Sequence, residues 1–479
     1  MKHKHIKIAA YLLVVLIANS ALATVHYVPE EHTTIQAAIN VCADSDTVIV
    51  APGRYSGLGN RNINFKGKAI TVRSTDPGNP QIVNTTIIDC EGKGRGFVFY
   101  MAEKAGSIVK GLTITNGYAL LGGAIYCYNN SSPSITNCVV KNNSAVFGGG
   151  IACASSETRP KITNCNITAN TALVGGGGFY LNASSPIIKN CIISGNLAPN
   201  GGAIYSHNAG NPLIVNCTIS GNVASRSAGA IYCYKSSDLT ISHSILWGDT
   251  AMSASEILVG NLGAATSIRI AHCDIQGGDQ NIICDTNCTV DWGQGNIDID
   301  PHFVQPGHID NNGSYVEGDY HLLGGSPCID AGDPGFVAAP DETDIDGNPR
   351  ILGEIIDLGA DEVIAAEVKI TPKALNLTSS GEQIRCTIQL PSSYDIADVD
   401  TDSIALSIEI SPSEKIGPVW SSIDEEAQKL FVKFDRSKIQ EMLNGVDGLV
   451  ELGVSGTLTD GTEFRGAETI RIVRGGGKK

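Results

Sequence analysis

The sequence predicts an all-β fold, a right-handed parallel β-helix followed by an antiparallel β-sandwich, and three observations carry that prediction. First, a phrase of small residues recurs: Gly122-Gly123-Ala124-Ile125 returns as Gly149-Gly150-Ile151, Gly176-Gly177-Gly178-Phe179, Gly201-Gly202-Ala203-Ile204 and Ala228-Gly229-Ala230-Ile231, with 26, 28, 25 and 27 residues between the apolar endings. Second, Asn137-Cys138, Asn164-Cys165, Asn190-Cys191 and Asn216-Cys217, followed by Ser242-His243, keep step at intervals of 27, 26, 26 and 26. Third, each unit holds two or three runs of about five residues in which apolar and polar positions alternate, as in 133–141 and 187–194, and none has the length or period of a helix. A strand that returns in the same direction once per unit pairs with its own copy in the next unit, about 4.8 Å away. Leucine-rich and TPR-type repeats need a leucine ladder or helical periods that are missing here.

The elements follow in order. Lys2, Lys4 and Lys7 precede an apolar run from Ile8 to Ala18, and Ala21-Leu22-Ala23 offers small residues for cleavage. Residues 1–23 therefore read as a secretory signal peptide too short to be a membrane span, which predicts an exported, extracellular or surface protein beginning at Thr24. The β-helix is expected over 24–362. Its N-terminal cap, 24–46, holds a short amphipathic helix in which Ile35, Ala38, Ile39 and Cys42 share a face, with threonines ahead to cap the first turn. Thr47-Val48-Ile49-Val50 is expected to be the first coil strand, the regular repeats span 111–249, and a closing segment spans 296–362. Beyond it, 366–479 reads as a β-sandwich of immunoglobulin-like size, its period-two strands interrupted by one short helix over 436–444. The mature chain shows no transmembrane segment, and its tail, 475–479, has neither an apolar anchor nor barrel strands.

Only 17% of residues are charged, and the formal net charge is −16; removing the three leader lysines takes it to −19. So acidic a chain, without a basic cluster outside the leader, is unsuited to nucleic acid or anionic membranes, and an extracellular polysaccharide or a surface protein is the expected partner.

The 14 cysteines of an exported chain would ordinarily signal disulfides. Their register argues for buried thiols instead: Cys138, Cys165, Cys191 and Cys217 share one coil position and Cys127, Cys153 and Cys233 another, and Cβ atoms about 4.8 Å apart exceed disulfide reach. Cys284 and Cys288, in one loop, are the pair best placed to be bridged. Asn143, Asn170, Asn196 and Asn222 form a further ladder whose amides can bond the copies above and below.

Thr34-Ile35-Gln36-Ala37-Ala38-Ile39, Val48-Ile49-Val50-Ala51-Pro52-Gly53-Arg54-Tyr55 and Lys68-Ala69-Ile70-Thr71-Val72-Arg73-Ser74 resemble the opening coils of secreted bacterial right-handed β-helix proteins of the pectin-lyase-like superfamily. The Gly-Gly-Ala-Ile and Asn-Cys phrases look like the repeats of its polymorphic outer-membrane-protein group. Gly325-Ser326-Pro327-Cys328-Ile329-Asp330-Ala331-Gly332, Asp344-Ile345-Asp346-Gly347-Asn348-Pro349-Arg350 and Asp357-Leu358-Gly359-Ala360 look like its closing segment. The resemblance covers about seven-tenths of the chain. It implies the fold more than an activity, because the superfamily hosts lyases, hydrolases and non-enzymatic adhesins.

A pectate-lyase-like polysaccharide lyase or a glycoside hydrolase is the enzymatic alternative. A glycosidase needs two carboxylates at controlled separation, and a lyase needs an Arg or Lys base with carboxylates that hold calcium. Between Gly111 and Asp249 the acids are Glu157, Asp238 and Asp249, none repeating at coil spacing. The polygalacturonase and pectate-lyase signatures are missing, Gly307-His308 being a weak echo, so a site would have to be assembled near Lys93, Arg95 and Lys110. No cofactor is expected. Asp341, Asp344 and Asp346 with Gly347 resemble a calcium loop, but Gly353 stands where a bidentate acid belongs, so this loop reads as a structural turn; Asp298 and Asp300 are similarly ambiguous.

The candidate site is therefore a binding face without catalytic residues. Ile125, Ile151, Phe179, Ile204 and Ile231 share a face with Cys127, Cys153, Leu181, Ser206 and Cys233, which must be the interior. Tyr126, Ala152, Tyr180, Tyr205 and Tyr232 then point outward, joined by Tyr128, Asn182, His207 and Tyr234. Flat apolar rings with polar tips suit stacking on sugars or anchoring a protein, so Tyr126, Tyr128, Tyr180, Tyr205, His207, Tyr232 and Tyr234 are the predicted ligand-binding residues. The sequence leads to a non-catalytic adhesin or carbohydrate-binding protein.

Overall fold

The computed structural model describes residues 23–473 apart from 262, 311 and 409–410. The signal-peptide reading falls almost wholly outside the described residues. Four parallel sheets of eleven, nine, eight and six strands run along the coil. Each regular turn therefore carries four short strands where two or three were expected; one turn runs Ser134–Thr136, Val139–Lys141, Ser144–Phe147 and Ile151–Ala154 before Lys161–Thr163 repeats the first. The register stays in phase in the eleven-, nine- and eight-stranded sheets, with Ile135 opposite Ile162 and Val140 opposite Ile167, while pairs of the six-stranded sheet shift register, as between Ala145 and Phe147. These aliphatic ladders point inward and are fully buried in one continuous core, each side chain contributing roughly 1.5–3 kcal/mol by its removal from water.

The opening differs from expectation at one point. Val25–Val28 precedes the cap helix and pairs in parallel with Thr47–Val50, so it, and not Thr47–Val50, is the first strand of the coil. The helix Ile35–Val41 forms as expected, with Thr34 Oγ1 accepting from Ala37 N at 3.2 Å and Ile35, Ala38 and Ile39 buried.

The corners repeat as strictly as the strands. Asn137, Asn164, Asn190 and Asn216 all take left-handed conformations, φ 51–53°, and His243 and His272 follow them at 49° and 50°. His243 thus occupies the Asn position itself, and Ser244 the Cys position. The coil from Asn216 to His243 is therefore 27 residues long, one more than the 26-residue spacing that pairs Ser242-His243 with Asn216-Cys217. All 14 cysteines, Cys284 and Cys288 included, are free thiols. The expected bridge between that pair is absent, while burial pushes the ladder thiols Cys165, Cys191 and Cys217 well above the ordinary thiol range.

The Asn143 ladder is fully buried. Asn143 Nδ2 donates to Asn170 Oδ1 (3.0 Å), Asn170 Nδ2 to Asn196 Oδ1 (3.0 Å) and Asn196 Nδ2 to Asn222 Oδ1 (2.9 Å). The chain of amides ends on an acceptor: Asn222 Nδ2 donates to Asp249 Oδ1 at 2.8 Å. Asp249 N in turn donates to Glu256 Oε1 at 3.3 Å, so Glu256 substitutes for the carboxamide that the next coil does not supply.

After the last coil strand, Thr289–Trp292, the chain runs back along the outside of the coil. Asn164 Nδ2 and Asn190 Nδ2 donate to Thr343 O (3.3 and 2.6 Å), Ala360 N to Thr218 Oγ1 (3.1 Å) and Gly359 N to His243 O (2.9 Å). This strap is organised on Arg350, which is fully buried, donates to Asp357 O, Gly359 O and Asp361 O, and pairs with Glu362 at 3.4 Å. The C-terminal residues form two facing sheets, one of six strands and one of four. They enclose a second core of residues including Ile384, Leu406, Phe434, Leu452 and Phe464. Its helix, Arg436–Met442, lies within the expected span. Arg465 of this unit donates to Leu322 O at 2.7 Å, tying the sandwich to the strap.

Two pH dependences follow. Burial raises Asp249 to about 7. A carboxyl whose folded value lies above its unfolded one binds more protons folded, so its stability contribution is complete below the unfolded value, about 4, and is lost as pH rises towards 7. Asp249→Asn continues the amide ladder without a buried carboxyl, and its thermal midpoint should fall less than that of the parent across that window. His243 behaves oppositely. Burial, then the neighbouring His272 and Arg350, lower it from 6.5 to about 4, and neither ring nitrogen has a hydrogen-bond partner. Its stability contribution is present above 6.5 and lost as pH falls to 4. His243→Asn, which restores the ladder residue, should remove that acid-labile component from a denaturation series.

Candidate functional site: the aromatic face of the coil

The eight-stranded sheet turns alternate side chains inward and outward, and its register stacks the outward ones. Tyr126, Ala152, Tyr180, Tyr205, Tyr232 and Leu258 form one row; Ala154, Asn182, His207, Tyr234 and Gly260 form the next, with Tyr128 two residues beyond Tyr126. The structure therefore brings all seven predicted residues onto one outer face. It does not leave them equally open. Tyr126, Tyr128, Tyr232 and Tyr234 are half-buried, whereas Tyr180, Tyr205 and His207 are only 6%, 9% and 8% exposed. Pointing outward therefore does not make the central three rings accessible.

Two causes bury them. The six-stranded sheet projects beside the face, and its Leu121 and Phe147 pack against the tyrosines, Phe147 lying 4.7 Å from Tyr180 ring to ring. The rings also cover one another: Tyr126 and Tyr128 stack at 4.6 Å and 12°, Tyr180 and Tyr205 at 6.1 Å and 24°, and His207 and Tyr234 at 5.2 Å and 6°. Tyr205 Oη donates to Tyr234 Oη at 2.9 Å, and His207 Nε2 meets Tyr180 Oη at 2.8 Å. Burial lowers the basicity of His207 and raises the Tyr180 hydroxyl to about 12, so these groups stay neutral at physiological pH and act as hydrogen-bonding tips.

The two ends of the ladder differ. At the N-terminal end Tyr100 stacks on Tyr128 at 5.6 Å, and Arg95 lies over Tyr126 at 5.3 Å while donating to Leu121 O (2.9 Å) and Gly122 O (3.1 Å). Arg95 thereby positions the corner. At the other end Tyr234 has Gly260 as its register neighbour. The ring of Tyr232 leans over that glycine, 5.2 Å from Tyr234 ring to ring, so Tyr232 and Tyr234 together close the ladder.

The match to known families coincides with this coil: the right-handed β-helix region family matches over 32–184 and 171–297, more than half of the chain. The chain belongs to the right-handed β-helix family. No curated protein and no solved structure matches it.

In this β-helix protein one carboxylate is felt at the aromatic face: burial, then Tyr234 and Asp285, raise the Tyr232 hydroxyl. An open groove of about 460 Å³ is lined by Asp89, Glu91, Asn116, Tyr118, Asn142 and Ser144, and its acids are paired, Asp89 with Arg54 and Glu91 with Arg61. The Asp249–Glu256 pair was not visible from coil spacing, since Glu256 lies seven residues on in the same coil; both side chains are buried. Asp344 forms the turn expected of it: its Oδ1 accepts from the backbone N–H groups of Asp346, Gly347 and Asn348 at 2.8–3.0 Å. Asp346 instead meets His321 Nε2 at 2.8 Å, beside a 210 Å³ cavity between strap and sandwich lined in part by Asp319, His321 and Arg465.

Truncation separates the architectural rings from the open ones. Tyr180→Ala and Tyr205→Ala should each cost about 3 kcal/mol or more in chemical denaturation, as large-to-small changes at buried aromatic sites do. Tyr232→Ala and Tyr128→Ala should cost less than half of that.

Proposed function

We propose that this is an exported, non-catalytic β-helix protein that binds an extracellular polysaccharide through its aromatic face, as an adhesin or carbohydrate-binding protein of the cell surface or its surroundings. The apolar run behind Lys2, Lys4 and Lys7 supports export. The observation that carries binding is the C-terminal end of the ladder, where the half-buried rings of Tyr232 and Tyr234 lie 5.2 Å apart, Tyr234 is backed by His207, and the next coil offers Leu258 and Gly260 in place of further rings. Preorganised, half-buried rings with a hydroxyl rim suit an apolar sugar face with hydroxyls around it. Half-buried Tyr232 extends that platform, and Tyr126 with Tyr128 offers a second one about four coils away. The acidic surface favours a neutral glycan, or an anionic one bridged by calcium.

Immobilised pectate, alginate, glycosaminoglycans and neutral plant and microbial glycans, with and without calcium, test this reading. We expect retention of the protein on one class without reducing ends or unsaturated uronide appearing. The Tyr232→Ala/Tyr234→Ala variant should lose at least tenfold in affinity while remaining folded by circular dichroism. Products in solution would establish the lyase or hydrolase alternative, and full retention by the double variant would remove the site from this face.

A further inference from the structure

The first strand and the turn after it carry chemistry that the coil does not require. His26 lies on the edge strand Val25–Val28, and the chain then turns about Tyr27 O, which accepts from Glu31 N (3.0 Å) and His32 N (3.1 Å). The turn returns Glu31 and His32 alongside His26. The two imidazole rings stand 5.4 Å apart at 56°, and ligand atoms of His26, Glu31 and His32 all lie within 4.8 Å of one another. Glu31 is held in place by one oxygen, Oε2, which accepts from Tyr27 N at 3.0 Å.

A second observation points the same way. His26 Nε2 is shielded from solvent and makes no hydrogen bond among the described residues; Asp46 Oδ2 stands 3.5 Å from it, longer than a good hydrogen bond. Asp46 is itself fixed, accepting from Thr24 N and Ala43 N at 2.7 Å each. A buried ring nitrogen without a partner is costly. Asp46 therefore stands behind Nε2, and a carboxylate in that place orients an imidazole whose other nitrogen, Nδ1, is the one offered to a metal.

We propose that His26, Glu31 and His32 bind one divalent cation of the zinc class, with Asp46 as a positioning residue for the His26 ring. Two imidazoles and one carboxylate supply three of the four ligands of a tetrahedral zinc ion, leaving the fourth position to solvent. The nitrogen ligands select zinc, copper or nickel over calcium and magnesium, which prefer all-oxygen sites. Bound there, the ion joins the unpaired edge of the first strand to the turn that leads into the cap helix, so it staples the coil at the end where stacking stops. This site is separate from the aromatic face.

Titration calorimetry with zinc chloride on the chelator-treated full chain, its processed N-terminus fixed by mass spectrometry, tests the proposal. We expect one equivalent bound, a rise in thermal midpoint that calcium does not reproduce, and a visible cobalt(II) spectrum characteristic of nitrogen ligation. His32→Ala, which leaves the His26–Asp46 contact intact, should weaken zinc binding at least tenfold and abolish the cobalt band. His321→Ala should leave both unchanged; it serves as the control because His321, Asp346 and Asp361 form another ligand-bearing cluster. Absence of stoichiometric zinc binding overturns the proposal, as does binding that survives His32→Ala or is lost in His321→Ala.

Discussion

Each coil has its backbone hydrogen bonds satisfied by the coils on either side of it, and the corners are where that requirement is hardest to meet. At the glycine corner two constraints act on adjacent residues. The first position is conformational: Gly122, Gly148, Gly176 and Gly201 have φ between 58° and 70°, and alanine is admitted there, since Ala228 and Ala254 take 57° and 55°. The second position is steric. A Cβ on Gly149 would lie 2.5 Å from Thr171 O, and one on Gly202 2.4 Å from Gly229 O, both backbone atoms of the next coil. Backbone cannot move aside without breaking the ladder, so this position stays glycine through Gly229. Ser255 occupies it only after Thr250–Ser253, the last strand of the six-stranded sheet, where no further fin strand stacks against it.

The same dependence on a neighbour governs the buried polar ladder. An asparagine column is directional, each amide donating toward the C-terminal end, so its last member must be an acceptor that does not itself need an asparagine above it. Asp249 with Glu256 meets that need at the cost of two buried carboxyls. The strap meets the equivalent need at the other corner: side chains of Asn164 and Asn190, left over from the left-handed turns, donate to Thr343. Where asparagine gives way to His243, the strap supplies Phe336 against the ring at 5.1 Å instead. Corner residues chosen for φ thus become the docking points of the closing segment.

What was legible in the sequence follows from this periodicity. A residue in a coil meets the equivalent residue above and below, so the environment repeats every 25–28 residues and leaves a mark in composition: Gly at the steric corner, Asn at the left-handed one, Cys and Ile inside. Features that depend on unlike segments left no such mark. The strap joins residues about 180 positions apart through Asn164 and Asp344, and nothing in either segment encodes the pairing. The first strand was missed because Val25–Val28 lies ahead of the cap helix, where a four-residue run has no repeat to support it. The substitution of His243 for asparagine was misaligned for a related reason: one inserted residue is invisible unless the corner geometry is known.

The aromatic face shows where alternation stops being informative. Inward and outward directions were assigned correctly for every tyrosine, because a strand has period two. Exposure depends in addition on what stands beside the sheet, and here the projecting six-stranded sheet shields the middle of the row. Stacking adds a second effect: within the ladder each ring lies against rings of adjacent positions, at 4.6–6.1 Å, so a central tyrosine offers a ligand only its edge and hydroxyl. Where the repeat ends, a ring loses its neighbour but keeps the support of the ring behind it. Rigidity with partial exposure is what a stacking ligand needs, and a column of like residues can provide it only at its ends. Tyr232 and Tyr234, half-buried beside Leu258 and Gly260, form such an end.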